Sequence, residues 1–254
     1  MTSDVGTPAP AAETYRDTVR RLASAQKPPA KGSPAYSRFV NRRIGRFLAA
    51  AAFHAGLTPN QVTGISALFS AAAIAAVALV EPTPLSAVLV ALGLLVGYAF
   101  DSADGQLARL RGGGSPAGEW LDHVVDSVKV VVLHLAVLVC WFRFYAPDRP
   151  EWLLVPLAFA AVSSVFFFVQ ILTDQLRRAH PASAPPPADS SRAALLRSLV
   201  VVPTDYGLLC IVFVLLAWPV GFGVAYGALL VGTALFLVAA LPKWFREVGR
   251  FGRP

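Results

Sequence analysis

Charged residues are scarce in this sequence. Asp, Glu, Lys and Arg make up 15% of its 254 residues, whereas 56% are hydrophobic. Soluble globular domains carry about a quarter charged residues, so the composition excludes an ordinary soluble protein. It predicts instead a chain that lies largely in lipid.

Cysteine and recognisable ligand loops are scarce as well. The two cysteines, Cys140 and Cys210, fall in apolar segments, which excludes a disulfide framework. The glycine run at 112–114 lacks the following Lys and Ser or Thr of a P-loop, and Gln106 stands where a calcium loop needs glycine. The net charge of +7 comes without a nucleic-acid-binding motif, so it indicates attraction to an anionic membrane surface and no nucleic-acid partner.

The N-terminal third changes character near residue 36. Residues 1–35 are rich in Pro and Ala and lack the apolar core of a signal peptide, so we predict a disordered cytosolic tail. Residues 36–54 alternate apolar and arginine positions at helical spacing. This pattern predicts an amphipathic helix at the membrane interface. An amphipathic helix packed on the rest of the protein is the compatible alternative.

Long apolar segments fill the remainder of the chain. A helix of about 20 apolar residues crosses the hydrocarbon core, and we place six such spans at 62–80, 84–108, 118–142, 152–174, 200–218 and 222–241. The predicted fold is therefore all-α: a six-helix transmembrane bundle at 55–242 after the interfacial helix, with a basic cytosolic C-terminal tail at 243–254. The fifth span is the weakest prediction because Asp205 lies near its start.

The distribution of basic residues predicts the orientation. Of the 22 Lys and Arg residues, 19 lie at the termini or in the connections at 101–118 and 177–198, which share one side of the membrane. Arg143 and Arg149 lie on the other side, and Lys129 lies within the third span. Because cytosolic loops carry the excess of basic residues, we predict that both termini face the cytosol, in a multi-pass protein of the cell membrane.

Four acids stand at the ends of two neighbouring spans. Asp101 and Asp104 are three apart at the end of the second predicted helix, and Asp122 and Asp126 are four apart on the third. Each pair shares one helix face, so the four carboxylates can converge. Acids at this depth usually mark a functional site, and a hard divalent cation would compensate them.

Each acid also has a structural interpretation. Asp101 and Asp104 could be solvated loop residues, and Asp122 could pair with Arg109 or Arg111. Gly105 directly follows Asp104, and Gly118 lies one turn before Asp122. Glycine lets a ligand approach a helix closely, although small residues also serve helix packing in membranes.

The stretch resembles the signature of the CDP-alcohol phosphotransferase (CDP-alcohol phosphatidyltransferase) family at all eight specified positions. These are Asp101, Asp104, Gly105, Ala108, Arg109, Gly118, Asp122 and Asp126. The segment 57–63, LTPNQVT, is similar to the one that precedes the first membrane helix in that family.

The resemblance implies specific roles. The four acids Asp101, Asp104, Asp122 and Asp126 would hold a pair of divalent ions, Mg²⁺ or Mn²⁺, with Asp126 as the catalytic base. CDP contacts would come from Asn60, Gln61, Val62, Thr63, Gly105, Ala108, Arg109, Ser115 and Gly118. The implied reaction transfers a phosphatidyl-type group from a CDP-linked lipid, with CDP-diacylglycerol expected, to an alcohol with release of CMP. A homodimer is also implied.

The acceptor is predicted from basic residues. Arg177, Arg178, Arg192 and Arg197 resemble the acceptor-binding side chains of the phosphatidylinositol-phosphate synthase branch, which favours a polyol phosphate such as inositol phosphate; the positive-inside bias explains these arginines equally well. Lys129 either neutralises Asp126 or binds the acceptor's anionic group. A divalent-cation transporter and a catalytically inactive membrane protein of the same fold are the alternative functions.

Overall fold

The computed structural model describes residues 13–25, 34–146, 148–180 and 201–252, and the regular structure of these residues is entirely helical. The α-helices are α1 (Tyr15–Ser24), α2 (Arg42–His54), α3 (Pro59–Leu79), α4 (Pro84–Leu110), α5 (Pro116–Cys140), α6 (Leu154–Ala179), α7 (Tyr206–Val212) and α8 (Pro219–Val248). Short π-helical or 3₁₀ turns extend several of them, at Ser37–Asn41, Trp141–Tyr145, Pro150–Leu153, Val202–Thr204 and Phe213–Leu215. The predicted all-α class is confirmed.

Within the described residues, five helical segments are long and apolar enough to cross a membrane. They are Pro59–Leu79, Pro84–Leu110, Pro116–Tyr145, Pro150–Ala179 and Pro219–Val248. Large apolar side chains such as Leu68, Leu89 and Val224 remain exposed on their outer faces. Because lipid covers such side chains without cost, the chain is a multi-pass membrane protein.

The predicted count of six spans is not confirmed. In the described part of the region predicted as the fifth span, the apolar helix runs from Tyr206 to Leu215. It is 10 residues long, whereas crossing a membrane needs about 20. Asp205 precedes this helix and Pro219 begins the next one. A capping carboxylate and a helix-starting proline therefore bound a short helix, although the apolar stretch of sequence is long enough to predict a membrane span.

The prediction of a disordered tail is wrong for residues 15–24. The α1 helix begins after Thr14, whose hydroxyl accepts a hydrogen bond from the Asp17 amide, and it buries Leu22 and Thr18. The Thr18 hydroxyl lies 3.0 Å from Nε2 of His54 on α2. This short, arginine-rich helix carries too few apolar residues for its docking to be evident from sequence. The rest of the predicted tail, at 1–12 and 26–33, lies outside the described residues.

The α2 helix packs closely on α4. A Cβ added to Gly45 would lie 2.8 Å from Oγ of Ser102, and the Gln106 amide donates to the Arg42 carbonyl at 3.1 Å. Ile44 and Phe47 of α2 are exposed, as are Phe39 and Val40 of the π-helical turn that precedes it. The predicted amphipathic helix is therefore tied to the bundle, and its position at the membrane surface stays a prediction.

Asp205 joins the start of α7 to the segment before α2. Its buried carboxylate accepts hydrogen bonds from the Tyr36 amide at 2.8 Å and from the Gly207 amide at 3.0 Å. A Cβ on Gly207 would lie 2.0 Å from the Tyr36 ring, so glycine is required for this approach. Asp205, the acid that made the fifth span the weakest prediction, thus caps a helix and holds two distant segments together.

Small residues bring α3 and α4 together as antiparallel neighbours. The Ser66 hydroxyl donates to the Gly97 carbonyl at 2.8 Å, and a Cβ on Gly97 would lie 2.4 Å from Oγ of Ser70. Close packing at small residues is a common way for membrane helices to associate. It brings the first turn of α3 against the last turns of α4, where the candidate site lies.

Candidate metal and nucleotide site

A tight connection places the end of α4 beside the start of α5. Gly112 and Gly113 have φ angles of 95° and 133°, a region that favours glycine. Ser115 then caps α5, since its hydroxyl accepts from the Gly118 amide at 3.0 Å, and Pro116 occupies the first helical position. The acids of the two helices consequently face each other.

Three of the four predicted metal-binding acids form one group. Asp101 of α4 and Asp122 and Asp126 of α5 each offer a carboxylate oxygen, and the three oxygens lie within 4.8 Å of one another. All three residues are partly buried. Hard carboxylate oxygens at this spacing fit Mg²⁺ or Mn²⁺. The predicted convergence of the acids of two helices is confirmed for these three.

Asp104 lies outside that group of three. It is 6% exposed, and its carboxylate accepts a hydrogen bond from the Thr63 hydroxyl at 2.6 Å and another from the Gly105 amide. Thr63 belongs to the first turns of α3, so this contact links a third helix to the acids. The sequence predicted Thr63 as a nucleotide contact and missed its bond to Asp104. Metal binding by Asp104 stays a prediction.

Lys129 bridges two acids of the group. Its Nζ lies 2.6 Å from Oδ1 of Asp101 and 2.6 Å from Oδ1 of Asp126, and the residue is 7% exposed. Asp126, three residues earlier on α5, is a partner that helical spacing predicts. Asp101 belongs to α4, so spacing along α5 does not predict it. This geometry favours the interpretation of Lys129 as a neutralising cation over that of an acceptor-binding residue.

Several residues predicted to contact CDP surround the start of α5. A Cβ on Gly118 would lie 3.0 Å from Oδ1 of Asn60 and 3.2 Å from Oγ of Ser115. Around Gly105 the nearest atom to an added Cβ is Nη1 of Arg109, at 3.7 Å. Gly105 therefore borders open space that Arg109 flanks, as an anionic ligand approaching the helix would need.

The side chains of two residues predicted to bind CDP make contacts within the protein. The Gln61 side chain accepts a hydrogen bond from the Thr58 amide at 2.8 Å and so completes the capping box of α3. Val62 is fully buried in a cluster with Ala49, Ala103 and Leu107, which keeps its side chain from a ligand. Ala108, the remaining predicted contact, is partly buried in the last turn of α4.

The predicted acceptor-binding arginines at the end of α6 are ion-paired. Arg177 binds both carboxylate oxygens of Glu247 at 2.7 and 2.9 Å and also Asp174. Arg178 pairs with Glu119, in the first turn of α5. Neither glutamate could be predicted as a partner from the sequence, because no spacing rule links positions 59 or 70 residues apart. Arg192 and Arg197 lie outside the described residues.

A family model and a curated relative match the sequence of this chain. Residues 56–241 match the family model described as CDP-alcohol phosphatidyltransferase. The phosphatidylinositol phosphate synthase of Corynebacterium glutamicum is 33% identical over 108 residues, or 42% of this chain and 47% of that protein. The match thus spans about half the length of this curated relative.

A likeness of fold extends over more of the chain. The crystal structure of Mycobacterium tuberculosis phosphatidylinositol phosphate synthase with CDP-DAG bound superposes with a TM-score of 0.50 at 24% sequence identity. The superposition covers 84% of this chain and 95% of the mycobacterial one.

Proposed function

This chain belongs to the CDP-alcohol phosphatidyltransferase family, and from that premise we propose that it transfers a phosphatidyl-type group from CDP-diacylglycerol to the hydroxyl of an alcohol, releasing CMP. The observation that carries the proposal is the group formed by Asp101, Asp122 and Asp126, whose ligand oxygens lie within 4.8 Å of one another. Gly105 follows Asp101 by four residues on α4, and residues at this spacing share a helix face, so metal and nucleotide would meet.

The donor would bind across the ends of three helices. Asn60 and Ser115 come within contact distance of Gly118, and Arg109 flanks Gly105 on α4. A guanidinium suits a diphosphate because it donates several hydrogen bonds in one plane. Gly105 leaves the backbone accessible where a side chain would meet the nucleotide.

The chemistry requires a base and charge neutralisation. When bound, a divalent ion would offset the charge that builds on the diphosphate as CMP leaves. The acceptor oxygen attacks the lipid-linked phosphorus, the bond between that phosphorus and the CMP oxygen breaks, and Asp126 takes the hydroxyl proton. Oδ1 of Asp126 is bonded to Lys129, so its other oxygen is the one that faces the acceptor in this proposal.

We propose a polyol phosphate, such as inositol phosphate, as the acceptor. Arg178 is the supporting residue in the described part of the chain, because its side chain is 58% exposed and its guanidinium reaches the start of α5 at Glu119. Arg177 is held more firmly, at 29% exposure and by both oxygens of Glu247. An acceptor phosphate would therefore compete with Glu119 for Arg178 more readily than with Glu247 for Arg177.

The test of this function is CMP release from CDP-diacylglycerol by the purified protein in the presence of Mg²⁺ or Mn²⁺. Inositol phosphate, glycerol phosphate, inositol and serine are supplied in parallel as acceptors. With a phosphorylated acceptor and divalent ions, we expect release of CMP and formation of a new phospholipid. Without divalent ions, we expect neither product. Release of no CMP with any acceptor would contradict the proposed reaction, and a preference for a neutral alcohol would contradict the proposed acceptor.

Gly105→Ala should separate nucleotide binding from folding. The added methyl meets the protein at no less than 3.7 Å, and alanine favours a helix over glycine, so the melting temperature should stay equal or rise. The same methyl narrows the space proposed for the diphosphate, and the Kd for CDP-diacylglycerol should rise at least about tenfold. Gly64→Ala on α3 is the control, because its added Cβ meets nothing within 4 Å. Equal donor affinity in both variants would remove Gly105 from the donor site.

We also propose that the site faces the cytosol, because the basic residues concentrate in the connections on its side of the membrane. A cysteine introduced at Gly113, in the connection between α4 and α5, should react with an impermeant thiol reagent from the cytosolic side. One introduced at Asp148, between α5 and α6, should react from outside. Both positions are exposed, and labelling from the opposite sides would reverse the orientation.

A further inference from the structure

One histidine in the apolar part of α5 joins three membrane-spanning helices. His134 lies eight residues beyond Asp126 and is 2% exposed. Its Nδ1 lies 2.6 Å from the hydroxyl oxygen of Tyr226 on α8, and its Nε2 lies 3.0 Å from that of Ser163 on α6. The ring also stacks on Phe159 of α6, with 4.0 Å between the ring centroids. His134 and its three partners lie outside the signature that carries the resemblance to the family.

Both ring nitrogens have a partner that suits a neutral imidazole. A neutral ring carries one donor and one acceptor nitrogen, and a hydroxyl can donate or accept. Either tautomer therefore satisfies Tyr226 and Ser163 at the same time. The hydrocarbon core offers no water to replace a lost partner, so the three side chains hold one another in place.

Helix α6 depends on such a contact more than the other spans do. In its apolar segment 17% of the residues are buried inside the protein, against 28–39% in the other four spans. Lipid covers apolar side chains at any register, so apolar contact alone sets the position of a membrane helix only weakly, whereas a hydrogen bond between helices joins two particular residues. The bond between His134 and Ser163 therefore fixes how far α6 is shifted along α5.

A second contact between the same two helices lies at a matching distance. His134 and Glu119 are 15 residues apart on α5, and Ser163 and Arg178 are 15 residues apart on α6. Each spacing corresponds to about 22 Å along the helix. The helices run antiparallel, so the bond at His134 and the ion pair between Glu119 and Arg178 close in the same register. A shift of α6 by one residue displaces Arg178 by about 1.5 Å along the axis.

We propose that the bond between His134 and Ser163 sets the register of α6 on α5 and so places Arg178 beside the start of α5 for the acceptor's phosphate. This inference deepens the proposed function and rests on the acceptor site proposed at Arg178. His134 and Ser163 are positioning residues, because they lie about 22 Å along the helices from that site and act through Arg178. Tyr226 binds the other nitrogen of His134 and so orients the ring toward Ser163.

The first test is Ser163→Ala, which removes the bond to α6 and leaves the bond between His134 and Tyr226. The variant should fold, since the pair of Arg177 with Glu247 still holds the end of α6 on α8. With CDP-diacylglycerol and inositol phosphate as substrates, the acceptor KM should rise about three- to tenfold. The donor KM should stay within about twofold of wild type. Ser163→Thr keeps the hydroxyl and should restore the acceptor KM.

The matched control is Ser164→Ala. The Ser164 hydroxyl donates to the Ala160 carbonyl of its own helix at 2.6 Å, so the same substitution breaks no bond between helices, and the acceptor KM should equal that of wild type. A contact that only stabilises the fold would lower the melting temperature of Ser163→Ala and leave its acceptor KM unchanged. That result in a folded variant would overturn the proposal.

A distance measurement tests the register without turnover. Spin labels on cysteines introduced at Ala117 and Ala179, both exposed, report the distance between the start of α5 and the end of α6. The native Cys140 and Cys210 are buried. In Ser163→Ala, electron paramagnetic resonance should show this distance shifted by about 1.5 Å or more, and the control should match wild type. An unchanged distance in Ser163→Ala would contradict the register even in an inactive enzyme. A shifted distance without CMP release by the wild-type protein would support the register and contradict the proposed reaction.

Discussion

Asp122→Asn should lower kcat by at least about 10³-fold, because it removes a charged oxygen ligand from the group that would hold the ion. Lys129 contacts the other two acids of this group, Asp101 and Asp126. Loss of the Asp122 charge therefore leaves that ion pair intact, and the variant should fold. Mn²⁺ affinity should fall together with turnover, which a titration of the purified variant measures.

The control for this variant is Asp174→Asn. Asp174 is an exposed residue of α6 that pairs with Arg177, and the substitution is chemically the same. It should keep turnover within a few-fold of wild type, since a surface ion pair contributes little. If Asp122→Asn retained most of its turnover and its Mn²⁺ affinity, the metal assignment would have to be abandoned.

Asp126→Asn should lower kcat by about 10² to 10⁴-fold, the range that a positioned general base contributes. Asparagine can still accept the hydrogen bond from Lys129 through its amide oxygen, so the bridge between α4 and α5 should persist. Donor binding depends on the glycine and arginine side of the site and should change much less. A rate effect larger than the binding effect is the signature of an interaction used in the transition state.

Single-turnover measurement of CMP release and equilibrium binding of CDP-diacylglycerol distinguish these two effects for Asp126→Asn. Asp174→Asn again provides the baseline for an Asp to Asn change. Normal single-turnover rates in Asp126→Asn would require another base. A loss of donor affinity as large as the loss of rate would instead assign Asp126 to binding.

The residues at which α3 and α5 begin were predictable, because capping by neighbouring residues determines them. Thr58 and Pro59 begin α3, and Ser115 and Pro116 begin α5, in each case with a capping hydroxyl before a proline at the first helical position. Helical periodicity also predicted which acids share a face. The sequence therefore located the candidate site at the connection between α4 and α5, before any contact was known.

The short α7 helix shows where composition misleads. Residues 206–218 contain no charge, which favours a membrane span, yet the helix stops at Leu215. Asp205 is used to bind the Tyr36 and Gly207 amides. A contact between residues 169 positions apart leaves no local pattern, so hydropathy alone could not detect it.

The sequence by itself determined the membrane class, the family motif and the acids that share helix faces, since lipid burial and helical spacing act on neighbouring residues. The tertiary structure decided which of these charges meet. It joined Lys129 to Asp101 across two helices, Arg178 to Glu119 and Thr63 to Asp104. The physical reason is that a charge or hydroxyl pairs with the partner that helix packing brings within about 3 Å. The distances between packed helices are not encoded in the residue spacing along any one helix.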